Sequence, residues 1–179
     1  MLGEMLENVR ERHPLIHNIT NYVTVNDCAN MLLACGGSPI MSDDADEVEE
    51  ITSICAGLNI NIGTLNRRTI PAMLLAGQKA NRLKHPVVLD PVGAGASALR
   101  TKTALELMEK VHFTVIRGNI SEIKTLADGS GTTKGVDADV DDAVTAENVG
   151  QAVAFAKNFA AKAKAIVAIT GAIDIVADV

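Results

Sequence analysis

The run Pro86-Val87-Val88-Leu89-Asp90-Pro91 constrains the fold more than any other stretch of the chain. Three aliphatic residues in a row, two of them β-branched, leave no polar side for water, so a strand here must be covered on both faces. Such a strand belongs in a parallel sheet between helices, and a parallel partner is reached only through a crossover of a dozen or more residues. The next residues supply one. The glycine-rich turn Val92-Gly93-Ala94-Gly95-Ala96 leads to a helical pattern near 101–110 and then to a second buried strand over 113–117.

The same alternation runs along the chain. Residues 1–12 read as an amphipathic helix carrying Leu2, Met5, Leu6 and Val9, without the apolar block of a signal peptide. Strands over 14–20 and 38–41 flank a helix that presents Val25, Ala29, Leu32 and Leu33, which Asn21 is placed to cap and Gly36-Gly37 to end. Six acidic residues from Asp43 to Glu50 open a helix running to about 56, where they complement its dipole. A strand over 58–62 closes on Gly63-Thr64, and a helix over 67–83 turns Ile70, Met73, Leu74 and Gly77 inward. Asn119 with Glu122 three positions on spells a capping box. Residues 127–146, rich in Gly, Asp and Thr, read as a long loop before a helix over 147–162 and a strand over 165–169. The expected architecture is one α/β domain over 1–179, a mostly parallel sheet with helices on both faces. Residues 173–179 begin a further apolar alternation in which the sequence stops. An uncovered edge of that kind is a liability, so the expectation is a domain whose C-terminal part is missing.

Composition narrows the class of function. The 179 residues carry 16 basic against 22 acidic side chains, with three Phe, one Tyr and no Trp. Nucleic-acid binders carry a basic footprint and often aromatic platforms, and neither is present. No apolar run approaches the roughly 18–20 residues of a membrane span. Cys28, Cys35 and Cys55 form no C-x-x-C pair and sit in apolar stretches, as expected of buried thiols in a reduced, cytoplasmic protein.

Ligands of open α/β sheets bind beyond the carboxyl ends of the strands. Asn18 and Asn21, Met41, Gly63-Thr64, Asp90, Arg117-Gly118-Asn119 and Thr170-Gly171 collect there. Asp90 ends an apolar strand, where a buried carboxylate calls for a metal ion or a cationic partner, unless it serves a turn. Gly93 and Gly95 could present backbone N–H groups to an anion, or simply make a tight turn. Arg117 could pair with a phosphate or, structurally, with Glu122. Thr170 suits either a phosphate contact or an ordinary turn. The four histidines lack metal-ligand spacing, and His17 is expected in the core.

Seven blocks carry a family resemblance: His17 to Asn21 (HNITN), Ser38 to Met41 (SPIM), Leu58 to Leu65 (LNINIGTL), Leu89 to Gly95 (LDPVGAG), Ile116 to Ile123 (IRGNISEI), Lys134 to Asp137 (KGVD) and Ile169 to Asp178 (ITGAIDIVAD). In order and spacing they resemble hydroxyethylthiazole kinases, within the wider ribokinase-like kinases, whose N-x-x-E motif matches Asn119 and Glu122. The resemblance implies a ribokinase-like fold and transfer of the ATP γ-phosphate to the hydroxyl of 5-(2-hydroxyethyl)-4-methylthiazole, in thiamine salvage. It implies a thiazole pocket at Met41 and Asn21, ATP contacts at Arg117 and Thr170, and magnesium at Asp90 and Glu122. It also implies a homotrimer with sites between subunits. The family continues to a Gly-Thr/Ala-Gly-Cys segment whose amides hold the transferring phosphate. This sequence ends before it, and none of its three cysteines has that context, so no catalytic residue is assigned and the 179-residue chain alone is expected to be inactive. Two alternatives stand beside the kinase: a fragment that only assembles or binds ligand, and a ribokinase-like kinase for another small alcohol.

Overall fold

The structure, a computed structural model, describes residues 2–129 and 143–178. Most of the loop expected over 127–146, with Lys134 to Asp137, lies outside the described residues. Contacts divide the chain into two compact units, Met1–Ile60 with Thr64–Val87, and Asn61–Gly63 with Val88–Val179.

The first unit holds α1 (Leu2–Arg12), β1 (Leu15–Ile19), α2 (Val25–Cys35), β2 (Ser38–Met41), α3 (Val48–Ile54), β3 (Gly57–Asn61, of which the last residue belongs to the second unit) and α4 (Thr69–Leu83). Its strands lie in the order β2-β1-β3 and both pairings are parallel. The core forms around Ile19, Val48, Leu58, Ile60 and Met73. Helix α4 buries Thr69, Ala72, Met73, Ala76, Gly77 and Ala80, a stripe at i, i+3, i+4 and i+7. Ile70 and Leu74, expected inside, stay half-buried. The buried stripe is made mainly of small residues, which let the helix approach closely and leave its larger aliphatics on the flanks.

His17 is fully buried in β1. Its Nε2 donates to the Ser42 carbonyl at 2.9 Å, and its Nδ1 accepts from the Thr52 hydroxyl at 3.0 Å. Burial pushes its pKa below the ordinary value, so the ring is neutral and structural, as expected. Helices α1 and α2 bury none of their residues fully. Leu2 is 86% exposed and Met31 66%.

The second unit holds β4 (Val87–Asp90), which enters from the first unit at Val87, then α5 (Ala98–Lys110), β5 (Val115–Asn119), α6 (Ile120–Asp128), α7 (Val149–Ala163), β6 (Ile166–Thr170) and β7 (Ile175–Ala177). The strands follow the order β4-β5-β6-β7. The first two pairings are parallel and β6–β7 is antiparallel. Both units are therefore α/β and pair in parallel apart from β7, the class read from the sequence.

Two boundaries differ instructively. Helix α5 starts at Ala98 rather than near 101, because the Ser97 side chain caps it by accepting from Arg100 N. Strand β5 starts two residues later than expected and continues through Asn119, which pairs in register with Thr170. Asn119 then caps α6, so strand passes into helix without a loop and Arg117 lies in the middle of the strand rather than at its end.

Candidate functional site

In the first unit a cleft of about 150 Å³ opens where β1 and β2 end, lined by Asn18, Thr20, Tyr22, Val25, Met41, Ser42 and Asp43. Met41, the last residue of β2, is 38% exposed and faces this space. Asn18 is fixed beneath it: its amide donates to the Ile16 carbonyl at 2.9 Å, and its oxygen accepts from Asn59 at 3.3 Å and from the Cys28 thiol at 3.6 Å. Burial pushes the Cys28 and Cys55 thiols up, which keeps them protonated. Asn21 is not among the lining residues. Its side-chain oxygen accepts from Val23 N and Thr24 N, closing the turn before α2, whose N-cap position is Thr24 rather than the expected Asn21.

The second unit carries the charged cluster. Asp90 ends β4, and its Oδ2 accepts from Asn61 Nδ2 at 2.9 Å and from Arg117 Nη1 at 3.3 Å. Its Oδ1 is buried and has no hydrogen-bond partner among the described residues. Burial raises the Asp90 pKa, against the lowering effects of Arg117 and Asn61. Arg117 thus makes a structural ion pair, with Asp90 rather than the Glu122 considered from sequence; its side chain remains 51% exposed. Alternation in β5 points it away from the flanking buried Ile116 and Gly118. The Thr170 hydroxyl, across from Asn119 on β6, donates to the Gly118 carbonyl at 3.4 Å.

Glu122 is 4% exposed and its two oxygens are both engaged. Oε1 accepts from Gly93 N at 2.7 Å, and Oε2 from Asn119 N at 2.8 Å, while Asn119 Oδ1 accepts from Glu122 N, completing the capping box. Burial raises its pKa, opposed by these two backbone donors.

The glycine turn corrects one expectation. The N–H groups of Gly93 and Gly95 do not point to a ligand anion, because Gly93 N donates to the Glu122 carboxylate and Gly95 N to the Thr101 hydroxyl at 2.9 Å. Ala94 N and Ala96 N donate back to Pro91 O and Gly93 O. The turn is closed on itself and on α5 and α6, so its glycines serve conformation, with φ of 70° at Gly93 and 93° at Gly95.

Two contributors escaped the sequence reading. Asn61 bridges two parts of the cluster, donating to Asp90 and accepting from Gly63 N at 2.9 Å. Arg100 lies under the turn, with Nη1 donating to Val92 O at 3.3 Å and Nη2 to Gly63 O at 2.8 Å. The signal for Asn61 was available, since it is the polar residue that closes β3. For Arg100 there was none, because its acceptors are backbone carbonyls.

Compared with known families, residues 6–179 match the hydroxyethylthiazole kinase family. The chain belongs to that family. Curated hydroxyethylthiazole kinases similar to it include that of Clostridium acetobutylicum, 70% identical over 178 residues, which are 99% of this chain and 65% of the relative. The hydroxyethylthiazole kinase of Clostridium beijerinckii is 56% identical over 177 residues, covering 99% of this chain and 63% of the relative. The chain therefore spans a little under two thirds of the length of these hydroxyethylthiazole kinases. Among solved structures, the hydroxyethylthiazole kinase protein of Pyrococcus horikoshii OT3 superposes with a TM-score of 0.83 at 40% identity, over 98% of this chain and 62% of the other. The Staphylococcus aureus pyridoxal kinase, at 15% identity and a TM-score of 0.55 over 89% of this chain and 63% of that one, shares the ribokinase-like fold alone.

Proposed function

We propose that the protein takes part in the ATP-dependent phosphorylation of the hydroxyl of 5-(2-hydroxyethyl)-4-methylthiazole, in thiamine salvage. One observation supports this reading above the others: a buried carboxylate oxygen, Asp90 Oδ1, with no partner among the described residues, on a side chain already paired to a half-exposed arginine. An unpaired buried carboxylate oxygen is costly, and a hard cation that takes oxygen ligands relieves it. Among the described residues no group of three or more His, Cys, Asp or Glu could hold a metal. Magnesium keeps several waters and binds through one or two carboxylates plus substrate phosphates, so a pair of carboxylates is a sufficient protein contribution. We assign it to the acidic pair Asp90 and Glu122. Bound there with ATP, the ion would neutralise charge on the transferring phosphoryl group.

The chain's own residues then bind and orient. Arg117 spends one guanidinium nitrogen on Asp90 and retains donors for a nucleotide phosphate, which its planar fork suits. Thr170 supplies a hydroxyl on the neighbouring strand. The cleft at Met41 takes the thiazole ring, an apolar contact with a soft thioether beside polar Asn18 and Ser42, and Asn21 shapes its rim. The resemblance further supports a homotrimer with sites between subunits, and the exposed Leu2, Met5, Met31 and Leu33 of α1 and α2 are the apolar surface such an assembly would cover. The three cysteines are free thiols, which accords with the reducing, cytoplasmic location we propose. Among the described residues no helix is long and apolar enough to cross a membrane.

Calorimetric titration of the thiazole alcohol, and separately of pyridoxal, in the presence of Mg·ATP tests the reading. Saturable binding of the thiazole, weakened by Met41→Ala, is expected. Preferential binding of pyridoxal, or thiazole binding indifferent to Met41, would overturn it.

A further inference from the structure

The two carboxylates of the second unit are not equivalent. Asp90 has one oxygen committed twice, to Asn61 and Arg117, and the other buried without a donor among the described residues. Glu122 has each oxygen committed to a backbone N–H, at 2.7 and 2.8 Å, the short lengths of charge-assisted hydrogen bonds. Its two donors belong to different segments. Asn119 N opens α6, and Gly93 N lies in the turn that begins immediately after Asp90.

The surroundings are shaped to let that carboxylate reach both. A Cβ at Gly118 would lie 2.9 Å from Glu122 Oε2 and 3.4 Å from its Cβ, so any larger residue there pushes the carboxylate off Asn119 N. Gly93, at φ 70°, aims its N–H inward in a conformation that side-chain-bearing residues rarely adopt. Glu122 therefore fixes the turn three residues beyond Asp90 to the start of the helix that comes after Arg117.

We propose that Glu122 is a positioning residue, which clamps the Gly93 turn to the N-terminus of α6, and that Asp90 alone of the two carboxylates gives an oxygen directly to the cation. The inference rests on the kinase reading for the identity of the cation, and sharpens it by separating two roles within the acidic pair. Glu122 acts on the ion's site through the backbone: it sets where Asp90 and Arg117 stand relative to each other.

The test combines a cation measurement with one that does not depend on kinase activity. Mn2+ in the presence of ATP is titrated into the parent, Asp90→Asn, Glu122→Gln and Glu122→Asp, with free ion followed by electron paramagnetic resonance. Amide hydrogen exchange is followed at Gly93 and Asn119 in the same proteins. Asp90→Asn should lower Mn2+ affinity by about tenfold or more while leaving exchange at Gly93 and Asn119 unchanged, as loss of a charged partner implies. Glu122→Gln offers one acceptor oxygen for two donors, so exchange at one of the two amides should accelerate about tenfold. Its Mn2+ affinity should fall less than that of Asp90→Asn. Glu122→Asp keeps the charge but cannot span both donors, and should accelerate exchange in the same way, which keeps the test decisive if the glutamine variant folds poorly. Loss of Mn2+ by Glu122→Gln equal to that of Asp90→Asn, with exchange at both amides as in the parent, would overturn the proposal. Were the parent to bind no Mn2+ with ATP, the kinase reading would fail, whereas accelerated exchange in the Glu122 variants would still support the clamp.

Discussion

Replacing Gly93 by alanine sets the local backbone against a specific side chain, and the cost of each can be worked out. The backbone part comes from φ of 70°, where a Cβ costs about 1–2 kcal/mol. The side-chain part comes from Arg100, because a Cβ at Gly93 would lie 2.1 Å from its Nη1 and 3.2 Å from its Cδ and Cζ. The guanidinium must move, and moving it breaks its donation to Gly63 O at 2.8 Å and to Val92 O at 3.3 Å. Hydrogen bonds from a charged group are worth about 1.5–3 kcal/mol, and we count only the shorter of the two. Gly93→Ala should therefore destabilise by about 2.5–5 kcal/mol, which for a chain of this size lowers the melting temperature by roughly 5–20 °C. The assay is urea unfolding at fixed protein concentration for the parent, Gly93→Ala, Arg100→Ala and the double variant. With Arg100 already truncated the clash has no object, and the second substitution should cost only the backbone part. The expected coupling is about 1.5–3 kcal/mol. Additive costs would refute the reasoning, for they would mean that Arg100 does not hold the turn from beneath.

The charged groups set three further outcomes. Burial raises the Asp90 pKa above its ordinary 3.8, so the native state holds its proton to higher pH than the unfolded chain and stability is lost as pH rises through that window. Asp90→Asn should then melt above the ligand-free parent at neutral pH, an advantage that scanning calorimetry should see vanish on acidification below about 3.8. His17, its pKa pushed below 6.5, is neutral in the fold and binds its proton first in the unfolded chain, so urea midpoints should fall as pH drops below 6.5 and His17→Gln should flatten that dependence. Arg117→Ala should weaken Mg·ATP binding by roughly tenfold to a hundredfold, and Arg117→Lys by less, because lysine keeps the charge but loses the fork. Unchanged calorimetric affinity in both would leave Arg117 as a partner of Asp90 alone.

What sequence reasoning reached, and what it missed, divides by the range of the interactions. The buried run before Asp90 implied parallel strands because hydrophobicity on both faces is a local property of the residues themselves. The Asn119–Glu122 capping box was legible for the same reason, its partners lying three positions apart. The buried role of His17 was also visible, since no ligand spacing surrounded it. The pairing of Arg117 with Asp90 spans 27 positions, and the capture of Gly93 N by Glu122 spans 29. Nothing local distinguishes a glycine turn whose amides face a ligand from one whose amides face a distant carboxylate. The antiparallel course of β7 was equally silent, because an alternating run fits either direction. Helix α1 shows the converse limit: its amphipathic spacing was legible, yet none of its residues is fully buried among the described residues.

Residues 117–119 consign three successive positions to three unrelated partners. Arg117 turns to Asp90, Gly118 makes room for the Glu122 carboxylate, and Asn119 caps α6 while pairing with Thr170. Point substitutions disturb these one at a time, but a change in length cannot. Adding or removing a single residue in this stretch inverts the face presented by everything beyond it. The cation at 117 would then point into the core, and the helix would begin without its cap. A library of insertions and deletions across this chain should therefore show its sharpest intolerance over these positions, with no graded shoulder. The bend at Gly171 and Ala172, both exposed and directly after Thr170, should absorb an extra residue with far less effect.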